Sequence, residues 1–209
     1  MDWRLRLGWL LMAVSSAAMP QGFSFGVKGG VPVTDALKVI DRSRYLSDRA
    51  PYVLGPAVEL RLFGGLSAEA DLFYRRVQYS SSSGGGEAAS TRTTGQIWEI
   101  PVLAKYRAPG DLARPFLAAG LSYRRMARFR QRIFTGGSSP VEVSAEPTEL
   151  TGRSTAGATV GGGLELSLPL IRVSGELRYT RWGSSSIRSA LGGLATQLNQ
   201  ADFILGVLF

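Results

Sequence analysis

The 209 residues include no histidine and no cysteine. Without histidine there is no imidazole for a Ser-His-Asp triad or a Cys-His dyad, and the usual nitrogen ligand for a metal is missing. Without cysteine there is no thiolate nucleophile and no disulfide framework. Lysine is scarce, occurring only as Lys28, Lys38 and Lys105, so a Ser/Lys pair has few sources, and Lys105 reads better as an ion-pair partner. Glycine runs are present at Gly84-Gly85-Gly86 and Gly161-Gly162-Gly163, but neither is followed by Lys-Ser or Lys-Thr or opens a helix, so they are not phosphate loops. The first reads as loop and the second as a crowded or kinked strand. An enzyme is not expected, nor is a metal or cofactor.

Long apolar runs are also missing. The longest, Leu7 to Val14, is far short of the roughly 20 residues that a spanning helix needs. With Arg4 and Arg6 before it and Ser16-Ala17-Ala18 after it, the stretch reads as a secretory signal peptide over residues 1–18, cleaved after Ala18. The mature domain would then be 19–209. An uncleaved helical anchor is the alternative. The net charge of +8 would ordinarily raise nucleic acid as a partner. Behind an export signal, the anions within reach are lipid head groups and lipopolysaccharide phosphates, and nucleic acid is not expected.

What the chain does have is alternation. The 26 glycines and the repeated Ser/Thr clusters favour short strands and turns in one all-β domain. Period-two patterning appears in eight segments, at 23–35, 52–63, 66–79, 96–107, 114–127, 154–168, 171–182 and 200–209. The connections alternate between long and short, the short ones being Gly64-Gly65, Pro109-Gly110-Asp111 and Pro169-Leu170. Even strand number and alternating loop length predict an eight-stranded antiparallel up-and-down transmembrane β-barrel, with both termini and the short turns on the periplasmic side. A soluble lipocalin-type barrel also has eight strands and remains an alternative.

Two details favour the membrane. Tyr74, Tyr106, Tyr123 and Tyr179 fall near the strand ends on the apolar faces, as an interfacial girdle requires. The opposite faces pair off by sign: Glu59, Glu69, Asp71, Glu99, Glu165, Glu176 and Asp202 against Arg61, Arg75, Lys105, Arg107, Arg124, Arg172 and Arg178. Seven acids meet seven bases, which predicts a neutral, ion-paired lumen in a barrel just wide enough for side chains to fill. A solvated sheet face of mixed charge is the bland alternative. The excess positive charge then falls outside, on Arg42, Arg44 and Arg49 of the first loop and on Arg125, Arg128, Arg130 and Arg132 leading into the third. Those last four are expected to contact lipopolysaccharide phosphates or another anionic surface polymer.

The C-terminus steps back by twos from Phe209 through Val207, Leu205 and Phe203, the look of a closing barrel strand whose terminal aromatic serves as an assembly signal. Trp98-Glu99-Ile100-Pro101-Val102-Leu103-Ala104-Lys105-Tyr106, followed after a short turn by Pro115-Phe116-Leu117-Ala118-Ala119-Gly120, resembles the outer-membrane β-barrel domain family of small bacterial porin-like and OmpA-transmembrane-like barrels. Glu176-Leu177-Arg178-Tyr179-Thr180 is similar to that family's penultimate strand. The resemblance covers essentially the mature chain and implies a fold without catalytic residues, in the outer membrane. No attached peptidoglycan-binding domain is expected. The expected role is structural or surface-interacting, with the extracellular loops as the working surface; a narrow channel for small solutes is the alternative, and a lipocalin-like carrier a weaker one. Expected partners are outer-membrane lipid, lipopolysaccharide and the barrel assembly machinery, with the protein a monomer.

Overall fold

The computed structural model describes residues 22–34, 37–39, 45–48, 52–83, 89–134, 141–143, 152–184 and 194–209. The expected signal peptide and the loop arginines Arg42, Arg44 and Arg49 lie outside them. Eight long strands make the wall: β1 (Phe23–Pro32), β2 (Val53–Arg61), β3 (Leu66–Asp71 continuing as Phe73–Ser83), β4 (Ala89–Arg107), β5 (Ala113–Phe134), β6 (Ser154–Ser167), β7 (Arg172–Trp182) and β8 (Asn199–Leu208). Each pairs antiparallel with its neighbours in sequence, and β8 pairs with β1, so the sheet closes with no free edge. Among the described residues, short segments at Leu37–Val39, Tyr45–Asp48, Val141–Val143 and Leu194–Thr196 add to the end carrying the long connections.

The alternation sets which way each residue points. Along β2, Val53, Gly55, Ala57 and Glu59 are buried while Leu54, Pro56, Val58 and Leu60 are exposed. The outer face is therefore apolar, with Val102 56%, Leu121 70% and Leu177 58% exposed, and the polar and charged residues are inside. A soluble barrel would have the reverse arrangement; this one fits a hydrocarbon surround. Aromatics mark both ends of the apolar band: Tyr74, Trp98, Tyr123 and Tyr179 toward the long loops, Phe23, Tyr106 and Phe209 toward the short turns. Tyr74 and Trp98 are cross-strand partners with ring centroids 5.3 Å apart.

Local chemistry explains the irregularities. The β2–β3 turn runs through Gly64 and Gly65 at φ of 57° and 83°, both left-handed, a conformation that glycine adopts without strain, and the Leu66 N–H closes it on the Phe63 carbonyl at 2.9 Å. The break in β3 at Leu72 coincides with proline on both sides. Leu72 N–H donates to the Pro56 carbonyl at 3.0 Å, and the register carries Pro101 opposite Asp71, so neither neighbour has an N–H to return there. In the glycine run of β6, a Cβ on Gly163 would lie 1.9 Å from the Gly175 carbonyl oxygen. This is the crowding expected of that run.

Three strands run longer than expected. β3 continues to Ser83, β4 begins at Ala89 and β5 extends to Phe134, so most of what reads as loop from Ser80 to Gly95, and the start of the stretch after Arg128, is paired sheet. Serine and threonine are good pleat residues once a partner strand exists, and here each strand supplies the other's partner. Between Gln96↔Ala127 and Thr94↔Arg130 the register shifts by one, placing two residues of β5, at 128 and 129, against Gly95 alone. That is a β-bulge, and it inverts the inside–outside order of β5 beyond it, while β4 keeps its alternation.

Candidate functional site

Inside the wall the charged residues form three tiers. Nearest the short turns, Glu59 accepts from Arg107 and, at 2.8 Å, from Arg172, and Glu165 accepts from Arg107 Nε at 2.9 Å and Lys105 Nζ at 3.3 Å. Ser67 Oγ accepts a further Arg107 hydrogen bond at 2.9 Å. In the middle, Arg178 spans Asp71 and Glu176, both at 2.7 Å, and reaches Glu69 at 3.1 Å. Lys28 pairs with Glu69 and stands 3.5 Å from Asp71 and 3.8 Å from Glu176. Lys105, 3.3 Å from Glu69, ties the two tiers together.

The third tier, toward the long loops, turns on Gln200. Its amide donates to Asp202 at 2.7 Å and to Glu99 at 3.0 Å, while its carbonyl accepts from Arg124 and from Trp182 Nε1 at 3.0 Å. Arg75 pairs with Asp202 at 2.8 Å and Glu99 at 3.5 Å, and Arg124 stacks over the Trp182 ring at 3.8 Å. Apolar side chains fill the remaining lumen: Phe116 lies under Lys105 at 4.1 Å, and Val53, Phe73 and Ile204 form a buried cluster. Buried charges are tolerable only when paired and hydrogen-bonded, and every carboxylate of the three tiers has such a partner.

The structure brings together all the expected lumen residues except one. Arg61 ends β2 and is exposed at the mouth beside the short turns, where it lines a cleft of about 520 Å³ with Phe63, Tyr106 and Arg114. Its backbone has the inward parity that alternation assigns, but a long side chain at the strand's last residue escapes to water. Lys28, 1% exposed, takes its place, so the buried groups of the described residues still come to seven acids and seven bases. Gln200, Ser67 and Trp182 also belong to the network without having been expected there. Lys28 alternates with Ser24, Gly26 and Gly30, and it is the only charge on that face to signal it.

Of the expected outer arginines, Arg125, Arg130 and Arg132 are exposed; the Arg128 side chain lies outside the described residues. The bulge matters here. Arg124 and Met126 point inward, so an unbroken alternation would send residues 130 and 132 inward as well, and the extra residue turns them out. Phe209 continues β8 beside β1: its N–H donates to the Phe25 carbonyl at 2.8 Å, its carbonyl accepts from Phe25 at 3.3 Å, and the two rings lie 5.9 Å apart. No group of His, Cys, Asp or Glu among the described residues is arranged to hold a metal ion.

Residues 15–183 match the outer membrane protein beta-barrel domain family. The chain belongs to that family. Solved structures that resemble it include Neisserial surface protein A, 15% identical, covering 90% of this chain and 96% of that one at a TM-score of 0.45. The outer membrane protein OprG from Pseudomonas aeruginosa is 15% identical, with 90% and 94% covered at 0.49. Ail, the attachment invasion locus protein of Yersinia pestis, is 12% identical, with 90% and 97% covered at 0.40. The search of curated proteins finds no match. The protein is thus an outer-membrane barrel of eight antiparallel strands, and membership brings no enzymatic activity with it.

Proposed function

We propose that this outer-membrane barrel is a closed, non-conducting scaffold whose outer end, built from the long connections, is its working surface. The observation that carries this is the filling of the lumen. Lys105, Lys28 and Arg75 stand at successive levels and each is no more than 1% exposed, which supports a lumen blocked by side chains. An eight-stranded barrel leaves little more room than its side chains need. A lipocalin-like carrier would need an apolar interior, which the charged tiers deny.

In this reading the protein is exported by its N-terminal signal, handed to the barrel assembly machinery through the strand ending in Phe209, and set in the outer membrane as a monomer. Its outward arginines meet lipopolysaccharide. The test is single-channel recording on the refolded protein in a planar bilayer. No stable conductance step is expected. A steady conductance of the size of a general porin's would replace the scaffold with a narrow solute channel.

A further inference from the structure

We propose that the outward face of the β3–β4–β5 extension is a binding site for the phosphate groups of lipid A, the anchor of lipopolysaccharide in the leaflet beside it. A groove of about 190 Å³ on this face is lined by Arg76, Gln78, Arg92, Thr94, Arg130 and Arg132. The register arranges them in rows that climb away from the Tyr74–Trp98–Arg125 level: Arg76 beside Gln96, then Gln78 and Thr94 beside Arg130, then Ser80 and Arg92 beside Arg132.

Arg92 and Arg132 are thus direct cross-strand partners. The pair sets two guanidinium groups side by side for one anion to bridge. Guanidinium forks match the oxygens of a phosphate bidentately, which a lysine cannot do. Among the described residues, register sets two acids at the flanks, Asp48 beside Gln78 and Glu142 beside Arg132, against the four arginines of the groove.

Height selects the ligand. Two residues of strand rise, tilted as barrel strands are, lift each row by about 5 Å, so the arginines stand between about 5 and 15 Å above the ring level. The head-group layer, about 5–8 Å deep on each side, starts near the ring level, so the Arg76 row lies within it and the rows above stand at its outer edge. The bulge at Gly95 is what presents Arg130 and Arg132 to that layer. This proposal shares with the scaffold reading its outward orientation, with the long connections outside, and does not depend on whether the lumen conducts; a conducting barrel would end that reading and leave this one standing.

The experiment measures binding of bisphosphorylated lipid A, and of the same lipid A dephosphorylated, to the refolded full chain in zwitterionic micelles. The variants are Arg76→Gln, Arg92→Gln, Arg130→Gln and Arg132→Gln combined, with Arg181→Gln, on another strand, as control. At low salt the combined variant is expected to bind the bisphosphorylated lipid at least about tenfold more weakly than the wild type. The control should be unchanged, the difference should shrink at high salt, and dephosphorylated lipid A should no longer distinguish the proteins. If the combined variant loses its heat-modifiable gel mobility, Arg92→Gln with Arg132→Gln carries the test in its place. Equal binding by variant and wild type, indifference of the wild type to the phosphates, or a preference for a soluble sulfated oligosaccharide over lipid A would each overturn the assignment.

Discussion

Replacing Arg178 by methionine tests whether the lumen is dry. The guanidinium is buried and engages three carboxylates, Asp71 and Glu176 at 2.7 Å and Glu69 at 3.1 Å. Methionine keeps much of the volume and removes the charge, leaving those three acids to share Lys28 and, through Glu69, Lys105. Stranding a buried charge in this way costs on the order of 3–5 kcal/mol, a large part of a total stability of about 5–15 kcal/mol. Glu176→Gln alone removes one acid from a site that keeps two others for Arg178, and its cost should be smaller. Combining the two leaves two acids with two bases, so the double variant should be no less stable than Arg178→Met alone, with a coupling of about 1–3 kcal/mol. Denaturant unfolding of the refolded protein in micelles or vesicles, followed by tryptophan fluorescence, measures all three. A cost below about 1 kcal/mol for Arg178→Met, or strict additivity in the double variant, would mean that water screens the tier, and the closed-lumen argument would fall with it.

Period-two alternation carried the fold because a barrel wall separates two environments, and each strand must sort its residues between them. The same rule placed most of the lumen charges. It failed where parity is not sufficient. Arg61 has the inward parity of Glu59, but parity says nothing of height along the barrel, and at the last residue of β2 the side chain leaves the lumen. Lys28 gives little signal because its neighbours on that face are small, and a strand of glycine and serine shows little contrast. The inversion has no mark on β5, where Ala127-Arg128-Phe129 holds no glycine or proline; its one local sign is Gly95 on the partner strand, and the bulge itself is a mismatch between β4 and β5. Ser80 to Ser83 read as loop from composition, whereas pairing across to β4 decides their state.

Lys28→Ala should cost about 3–5 kcal/mol by the same unfolding assay, and Arg61→Ala should stay within about 0.5 kcal/mol; equal effects would return Arg61 to the network. Gly163→Ala should destabilise by about 1–3 kcal/mol, because its methyl group meets the Gly175 carbonyl, and an unchanged unfolding midpoint would count against that close approach. Deleting Phe209 should lower the amount assembled in the outer membrane in cells much more than it lowers refolding into micelles; equal losses would assign the residue to closure beside Phe25 rather than to recognition by the assembly machinery. Deleting Arg128 shortens the bulge by one residue and should restore unbroken alternation along β5. Phe129 would then stand alone opposite Gly95, with Arg130 still opposite Thr94 and Arg132 still opposite Arg92, so both keep facing out as Arg76 and Arg92 do. The four arginines of the groove all remain on its face. Affinity for bisphosphorylated lipid A should therefore stay near the wild-type level, and heat-modifiable mobility should persist, since the register below Gln96 is untouched. If the deletion weakens lipid A binding as far as the combined glutamine variant does, the site depends on the bulge or on Arg128 itself and the outward register of the four arginines is not what builds it.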